Sequence, residues 1–192
     1  MNQIKPDYPP IAHANYIEGQ VQMELIIDAD GHVRRAHVLR GHPLLAASAL
    51  KAIRRWVYRP FVTAAGPAPF STQVRVVFDL RDLHQQRDRF PTSPEQDLER
   101  QVRPPAVIER SRVSPADSSI RMRVLVGDDG HAIDSTLVAG PVAFFESAQH
   151  TVTQWRFQPA RWGNLAVPWY LDLDVPVDSR EPIRAAIRIP KS

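Results

Sequence analysis

Gln20-Val21-Gln22-Met23-Glu24-Leu25-Ile26-Ile27, followed by Asp28-Ala29-Asp30-Gly31-His32, decides how this chain is organised. Val21, Met23, Leu25 and Ile27 alternate with residues that include Gln22 and Glu24. A two-residue period marks a strand with one face buried and one face wet. The Asp-Gly step after it reads as a tight turn, because glycine reaches positive φ without a Cβ clash. A shift of 99 residues brings the pattern back as Ile120, Met122, Val124 and Val126, then Asp128-Asp129-Gly130-His131. The same shift lays Gly41 on Gly140, Ser48-Ala49 on Ser147-Ala148, Trp56 on Trp155 and Pro60 on Pro159. No gap is needed between Val21/Ile120 and Pro60/Pro159, and the identities fall on residues that set backbone shape. The chain therefore reads as two copies of one small domain.

Outward from the turn, Val33 to Leu39 is the return strand. Gly41-His42-Pro43 opens a helix, since proline is tolerated in a first turn. Leu45, Ala49, Ala52, Ile53 and Trp56 form its apolar stripe, and Pro60 is expected to stop it. Val62 to Pro69 reads as a loop. Thr72, Val74, Val76, Phe78 and Leu80 give a third alternating strand. In the second copy Phe145, Ala148, Val152 and Trp155 make the helix stripe, and Val167, Trp169, Leu171, Leu173 and Val175 the last strand.

Each copy is thus strand–strand–helix–strand. A hairpin followed by a helical crossover places the third strand beside the first, in the order 2-1-3. Strands two and three are then edges with unpaired backbone groups. The fold class is α+β: two tandem small domains, each a three-stranded antiparallel sheet with a helix on one face. The expected boundaries are 1–82 for the first domain, 83–103 for a polar, proline-flanked linker, 104–178 for the second domain and 179–192 for a tail. About 75 residues is near the lower limit for independent stability, so the copies are expected to pack together.

Composition narrows the function classes. With 43% hydrophobic and 23% charged residues the chain is globular. A net charge of +3 is too small to demand nucleic acid as a partner. The absence of cysteine excludes disulfides, thiolate metal sites and a cysteine nucleophile. No run approaches the roughly 18–20 apolar residues that span a bilayer. Met1 to Pro6 is too polar for a signal peptide, so the chain as given reads as soluble, with any anchor never present or removed.

Several residues invite sharper readings. Trp56 and Trp155 are read as core rather than ligand-stacking groups, because each closes an apolar stripe. Asp28-Ala29-Asp30-Gly31 begins like a calcium loop, but Leu39 stands where a ligating glutamate is needed, so a hairpin turn is preferred. His32, His37 and His42 recur every five residues, a spacing that puts neighbours on opposite strand faces; they are read as surface histidines and not as a metal site. Arg34-Arg35 and Arg54-Arg55 are read as a solvated face. Trp162, Trp169 and Tyr170 either pack between the copies or form an exposed platform, with packing preferred. Ser48 and Ser147 lie in helices without a nucleophile turn, and no paired carboxylates are held together, so no catalytic residues and no cofactor are assigned.

Tyr8-Pro9, Ile17-Glu18-Gly19-Gln20-Val21, Asp30-Gly31 and Arg54-Arg55-Trp56-Val57-Tyr58-Arg59-Pro60 occur in an order and spacing that resembles the periplasmic C-terminal domain of TonB energy transducers. The resemblance covers about Lys5 to Leu80. The second copy keeps the turn glycine and Trp155-Arg156-Phe157-Gln158-Pro159 but lacks the Tyr-Pro and Ile-Glu-Gly-Gln motifs. The resemblance implies a protein-interaction module that binds the TonB-box segment of outer-membrane TonB-dependent transporters by strand addition. It also implies an inner-membrane proton-driven partner complex, reached through an anchor absent from this chain. Carried over by residue, the implied partner-binding set is Tyr8, Pro9, Gln73, Val74, Arg75, Val76, Val77, Phe78 and Asp79, with Gln73, Arg75, Val77 and Asp79 on the outer face. Lys5 stands where the family carries a glutamine. The alternative is a structural envelope protein that binds peptidoglycan or another envelope subunit without energy coupling. An open third-strand edge in the first copy separates the two.

Overall fold

The computed structural model describes residues 3–80, 100–110 and 118–177. Residues 83–99 of the expected linker and the expected tail 179–192 lie outside the described residues. The first unit runs α1 (Pro10–Ala14), β1 (Gly19–Ile27), β2 (Val33–Arg40), α2 (Pro43–Ile53), β3 (Phe61–Thr63), β4 (Gly66–Ala68) and β5 (Phe70–Phe78). The second runs β6 (Val102–Arg103), β7 (Ala106–Glu109), β8 (Ser118–Val126), β9 (Ala132–Ala139), a 3-10 turn at Val142–Phe144, α3 (Phe145–Thr153), β10 (Arg156–Gln158), β11 (Ala160–Trp162), β12 (Leu165–Val167) and β13 (Trp169–Val177). The main sheets are antiparallel, ordered β2-β1-β5 and β13-β8-β9, which is the expected order with the first strand central in each. No helix among the described residues is long and apolar enough to cross a membrane.

The two ladders repeat each other residue by residue. Gln22 faces Arg40 and Met23 faces Val38, so a bulge lies between them; Arg121 faces Ala139 and Met122 faces Leu137 in the same way. A second irregularity follows Ile26 in one ladder and Leu125 in the other. The turn glycines repeat for a steric reason. Gly31 and Gly130 have φ of 93° and 78°, and a Cβ at either would run into the carbonyl oxygen of Tyr58 or Phe157. The same closeness lets Tyr58 N–H donate to the Gly31 carbonyl at 2.7 Å, and Phe157 N–H to that of Gly130 at 3.0 Å. The segment after each helix is thereby tied back to the hairpin.

In the first core, Val21, Met23, Leu25 and Ile27 pack against Leu45, Ala49, Leu50 and Ile53. In the second, Ile120, Met122, Val124 and Val126 meet Ala148, Val152 and Trp155. Trp56 and Trp155 are 8% and 0% exposed, as core residues should be. Both lie just beyond their helices rather than within them, because the helices end at Ile53 and Thr153, well before Pro60 and Pro159. The final turn tightens: the Trp56 amide donates to Ile53 and the Trp155 amide to Val152. The stretch Val62 to Pro69, expected as loop, contains the hairpin β3–β4, with Phe61 facing Ala68. Leu80 follows β5 and is buried, but it is not part of the strand. Val102 and Arg103 pair with Trp162 and Arg161, so this end of the expected linker joins the sheet of the second unit.

The units share their first core. Leu125, Ala160 and Val167 are buried in it, and Trp162, Trp169 and Tyr170 pack against it. These aromatics therefore serve the junction. The junction also corrects the surface readings of two histidines, while Arg35 and Arg54, exposed as expected, reach across it. His37 Nδ1 lies 2.8 Å from Asp134 Oδ1, and the Val38 amide donates to Asp134 Oδ2 at 2.8 Å. Arg54 donates to the Ile133 carbonyl at 2.8 Å, and Arg35 lies 3.4 Å from Glu146. His42 caps α2, accepting from the Leu44 amide at 3.3 Å, and stands edge-on to Trp169. Sequence could not show this, because each contact joins residues at least 79 positions apart except the cap itself. Of the histidines read as surface residues, only His32 is exposed as expected.

Candidate functional site: the open edge of β5

The junction covers one edge of the first sheet and leaves the other. Strand β2 meets the second unit through Asp134. Strand β5 pairs only with β1 among the described residues, in an unbroken register from Gly19–Phe78 to Ile27–Phe70. Its side chains alternate as the sequence predicts. Gln73, Arg75, Val77 and Asp79 are exposed, Val77 at 62%; Val74 is half-buried, and Val76 and Phe78 are in the core.

The direction of the backbone groups follows from the second unit. Pro176 sits in β13 opposite Ser119, at the position that corresponds to Val77 opposite Gln20. Proline has no amide hydrogen, and within sheets it is confined to edges where its nitrogen faces away from the ladder. Both registers are gapless, so the parity transfers. The N–H and C=O groups of Ser71, Gln73, Arg75 and Val77 point away from β1, toward the free edge. Those of Thr72, Val74, Val76 and Phe78 point toward β1. Of the nine residues carried over from the family, Val74, Val76 and Phe78 thus turn their backbone groups to the β1 ladder, while Gln73, Arg75 and Val77 turn theirs to the free edge.

The N-terminal segment borders the C-terminal end of this edge. Tyr8 donates its hydroxyl to the Ile17 carbonyl at 2.6 Å and sets its ring edge-on to Phe78 and His13. Trp56 Nε1 donates to the Ile4 carbonyl at 2.7 Å, and Ser48 Oγ to the Asp7 carbonyl at 2.5 Å. Pro9 is extended and caps α1, with Pro10 in the first turn. A cleft of about 650 Å³ results, lined by Lys5, Asp7, Tyr8, His13, Val77 and Asp79 among others. Burial, with Glu18 and Asp79 nearby, pushes the Tyr8 hydroxyl up to about 12, so it stays a proton donor. Sequence reasoning missed Lys5, Asp7 and His13 as part of one cleft. The Pro9-Pro10 pair, which starts a helix, was the available signal.

The corresponding edge of β13 is different. Arg123 forms a two-point bond with Asp172, at 2.7 and 2.8 Å, and Arg121 lies 3.5 Å from Asp174. The guanidinium of Arg123 holds the Asp172 carboxyl below its usual range. Pro176 removes one edge amide outright. The second unit's edge is therefore self-neutralised and interrupted.

The sequence profile of the family described as Gram-negative bacterial TonB protein C-terminal matches residues 4–80. Protein TonB of Vibrio cholerae serotype O1 is 34% identical over 80 residues, which are 41% of this chain and 33% of that protein. The chain thus spans about a third of the length of that relative. The family match falls on the unit that carries the open edge and its Tyr8 strap. Residues 4–80 are thus similar to the TonB C-terminal domain.

Proposed function

We propose that the first unit binds a short extended segment of outer-membrane TonB-dependent transporters, the TonB box, as a fourth strand on β5. The protein is then the periplasmic, transporter-binding end of a TonB-type energy-transduction system. Its coupling to an inner-membrane proton-driven complex belongs to the same reading, as does inner-membrane anchoring by a segment outside this sequence. In this role the chain is a transducer and not an enzyme. The second unit, by its 99-residue repeat, is a divergent copy of the first that covers β2.

One observation carries the reading: in a family-matched unit, the second unit covers the β2 edge and leaves the β5 edge unpaired among the described residues. Strand addition draws affinity from main-chain hydrogen bonds and specificity from alternate side chains. Ser71, Gln73, Arg75 and Val77 offer the former, and Arg75 and Val77 the latter. The envelope-scaffold reading, with peptidoglycan or another subunit as partner, expects β5 to be covered.

The test is calorimetric titration of the whole chain with synthetic TonB-box segments from outer-membrane transporters. Saturable binding, with isotope-edited infrared or amide-exchange protection rising at Gln73, Arg75 and Val77, is the expected result. No binding, together with retention on purified peptidoglycan, would move the scaffold reading ahead.

A further inference from the structure

The hairpin β3–β4 pairs with no further strand among the described residues. Phe61 and Val62 are 53% and 68% exposed, and Thr63, Ala64, Ala65 and Pro67 are exposed beside them. No side chain from Phe61 to Phe70 is charged, and Thr63 carries the one hydroxyl. That hydroxyl is satisfied inside the hairpin: it donates to the Gly66 carbonyl at 2.9 Å and accepts from the Ala65 amide at 3.3 Å. The backbone offers little to an added strand. A sheet proline turns its nitrogen away from the ladder, so Pro67 removes the outward amide of β4, and Val62 opposite it holds the outward amide of β3. The Phe61 ring rests on Phe70, with centroids 6.0 Å apart, and Phe70 on Tyr58 at 6.2 Å, so the exposed tip is braced against the core.

Cations stand beside this apolar tip. Arg59 lies two residues before Phe61, and Arg55 and Lys51 precede it at four-residue steps. All three are exposed, and no hydrogen bond or ion pair engages them among the described residues. From Gly31 to Phe78 the chain carries no aspartate or glutamate. The adjacent β1–β2 turn supplies Asp30 and Asp28, and Asp28 accepts from two turn amides and lies 3.7 Å from Arg34. The second unit shows that the fold requires none of this. At the 99-residue shift Lys51, Arg55 and Arg59 become His150, Gln154 and Gln158, and Phe61 and Val62 become Ala160 and Arg161. Its hairpin β11–β12 is covered, with β6 paired to β11 and with Ala160 and Val167 buried in the first core.

We propose that β3–β4 is a membrane-contacting finger: Phe61 and Val62 enter the surface of a bilayer rich in anionic phospholipid, while Arg59, Arg55 and Lys51 meet its phosphates. A charge-free hairpin with its hydroxyl satisfied loses little on leaving water, and its apolar side chains gain. Lysine and arginine near an anionic surface add an attraction that salt screens. One small apolar tip holds weakly, so the contact is reversible. The finger lies at the Phe70 end of β5, whereas the Tyr8 cleft borders the Phe78 end, so the two sites do not overlap. The proposal does not depend on strand addition at β5.

Vesicle flotation of the whole chain tests it, with phosphatidylcholine alone and with equimolar phosphatidylcholine and phosphatidylglycerol. The parent should float with the anionic vesicles, less so as salt rises, and hardly at all with phosphatidylcholine. Arg59→Gln should weaken partition about fivefold at low salt, and Phe61→Ser on the order of tenfold. Val142→Ser removes a still more exposed apolar side chain from the second unit and should change nothing. A Phe61→Trp variant should gain emission that brominated acyl chains quench. Circular dichroism will confirm that each variant folds. A parent that stays in solution with both vesicles would overturn the proposal and leave the finger to a protein partner. Weakening by Arg59→Gln but not by Phe61→Ser would also overturn it, since charge alone would then account for the binding.

Discussion

Trp56 illustrates how much one side chain can hold at this size. Its ring closes the first core, and its Nε1 anchors the Ile4 carbonyl of the N-terminal strap. Trp56→Ala should cost roughly 3–5 kcal/mol, as large-to-small truncations in cores do. That is a large part of the stability a domain of this size has. Trp56→Phe keeps most of the apolar volume and deletes the hydrogen bond, so it should cost about 1 kcal/mol or somewhat more. Urea denaturation of the two variants beside the parent checks the order; an Ala variant with an unchanged midpoint would remove Trp56 from the core. The tryptophan was legible from the sequence because it ended an apolar stripe. Its bond to Ile4 was not, because 52 positions of chain separate the two groups.

At the scale of the element, β5 offers a sharp test. A strand held by backbone groups should be indifferent to most single side chains and sensitive to a lost amide. Val77→Ala should leave TonB-box affinity within about twofold, as exposed surface substitutions usually have small effects. Val77→Pro should abolish strand addition, since it deletes an outward amide without touching the β1 ladder. The second unit already carries this arrangement: Pro176 lies opposite Ser119 in an intact register. The Val77→Pro variant should therefore stay folded, as monitored by circular dichroism, while calorimetry shows no heat of binding. A folded proline variant with parental affinity would rule out addition at this edge. The alternation that marks β5 was plain in the sequence. The helix ends and the β3–β4 hairpin were not, because Trp56 N–H and Phe61 follow local hydrogen bonds and ring contacts rather than the position of Pro60.

For the whole molecule, the junction between units has its own titration. The bond to Asp134 raises His37 above its usual value, outweighing the effect of burial. A histidine raised in the folded state binds its proton more tightly there, so its contribution is complete below its unfolded value near 6.5 and fades as pH climbs through the raised value. His42 acts the other way: burial lowers it to about 4, so it remains a neutral cap, and its stabilisation falls as pH drops from 6.5 toward 4. Comparing the parent with His37→Gln cancels the His42 part. The variant should be less stable by on the order of 1 kcal/mol at pH 6, with a partly exposed imidazolium setting the scale, and the gap should narrow at pH 9. Thermal midpoints at the two pH values measure it; a gap that widens with pH would contradict the assignment. The same asymmetry of edges sets stoichiometry. One TonB-box segment per chain is expected, because Pro176 and the Arg121–Asp174 and Arg123–Asp172 pairs close the second edge.

The sequence by itself determined the three long strands of each unit, the Asp-Gly turns, the order of each main sheet and the 99-residue repeat. These follow from local alternation, from the positive φ that a tight turn asks of glycine, and from the way a helical crossover returns the chain beside the first strand. Tertiary structure alone decided which edge remains open among the described residues. In sequence, β2 and β5 are both short alternating strands with charged outer residues, and nothing local ranks them. The choice rests on Asp134 reaching His37 and Val38, and on Leu125, Trp169 and Tyr170 entering the first core. Leu125 is 1% exposed while its counterpart Ile26 is 38% exposed, so the two units do not use the same surfaces. Contacts between residues almost a hundred positions apart depend on how two folded surfaces fit, and that fit exists only once both sheets have formed.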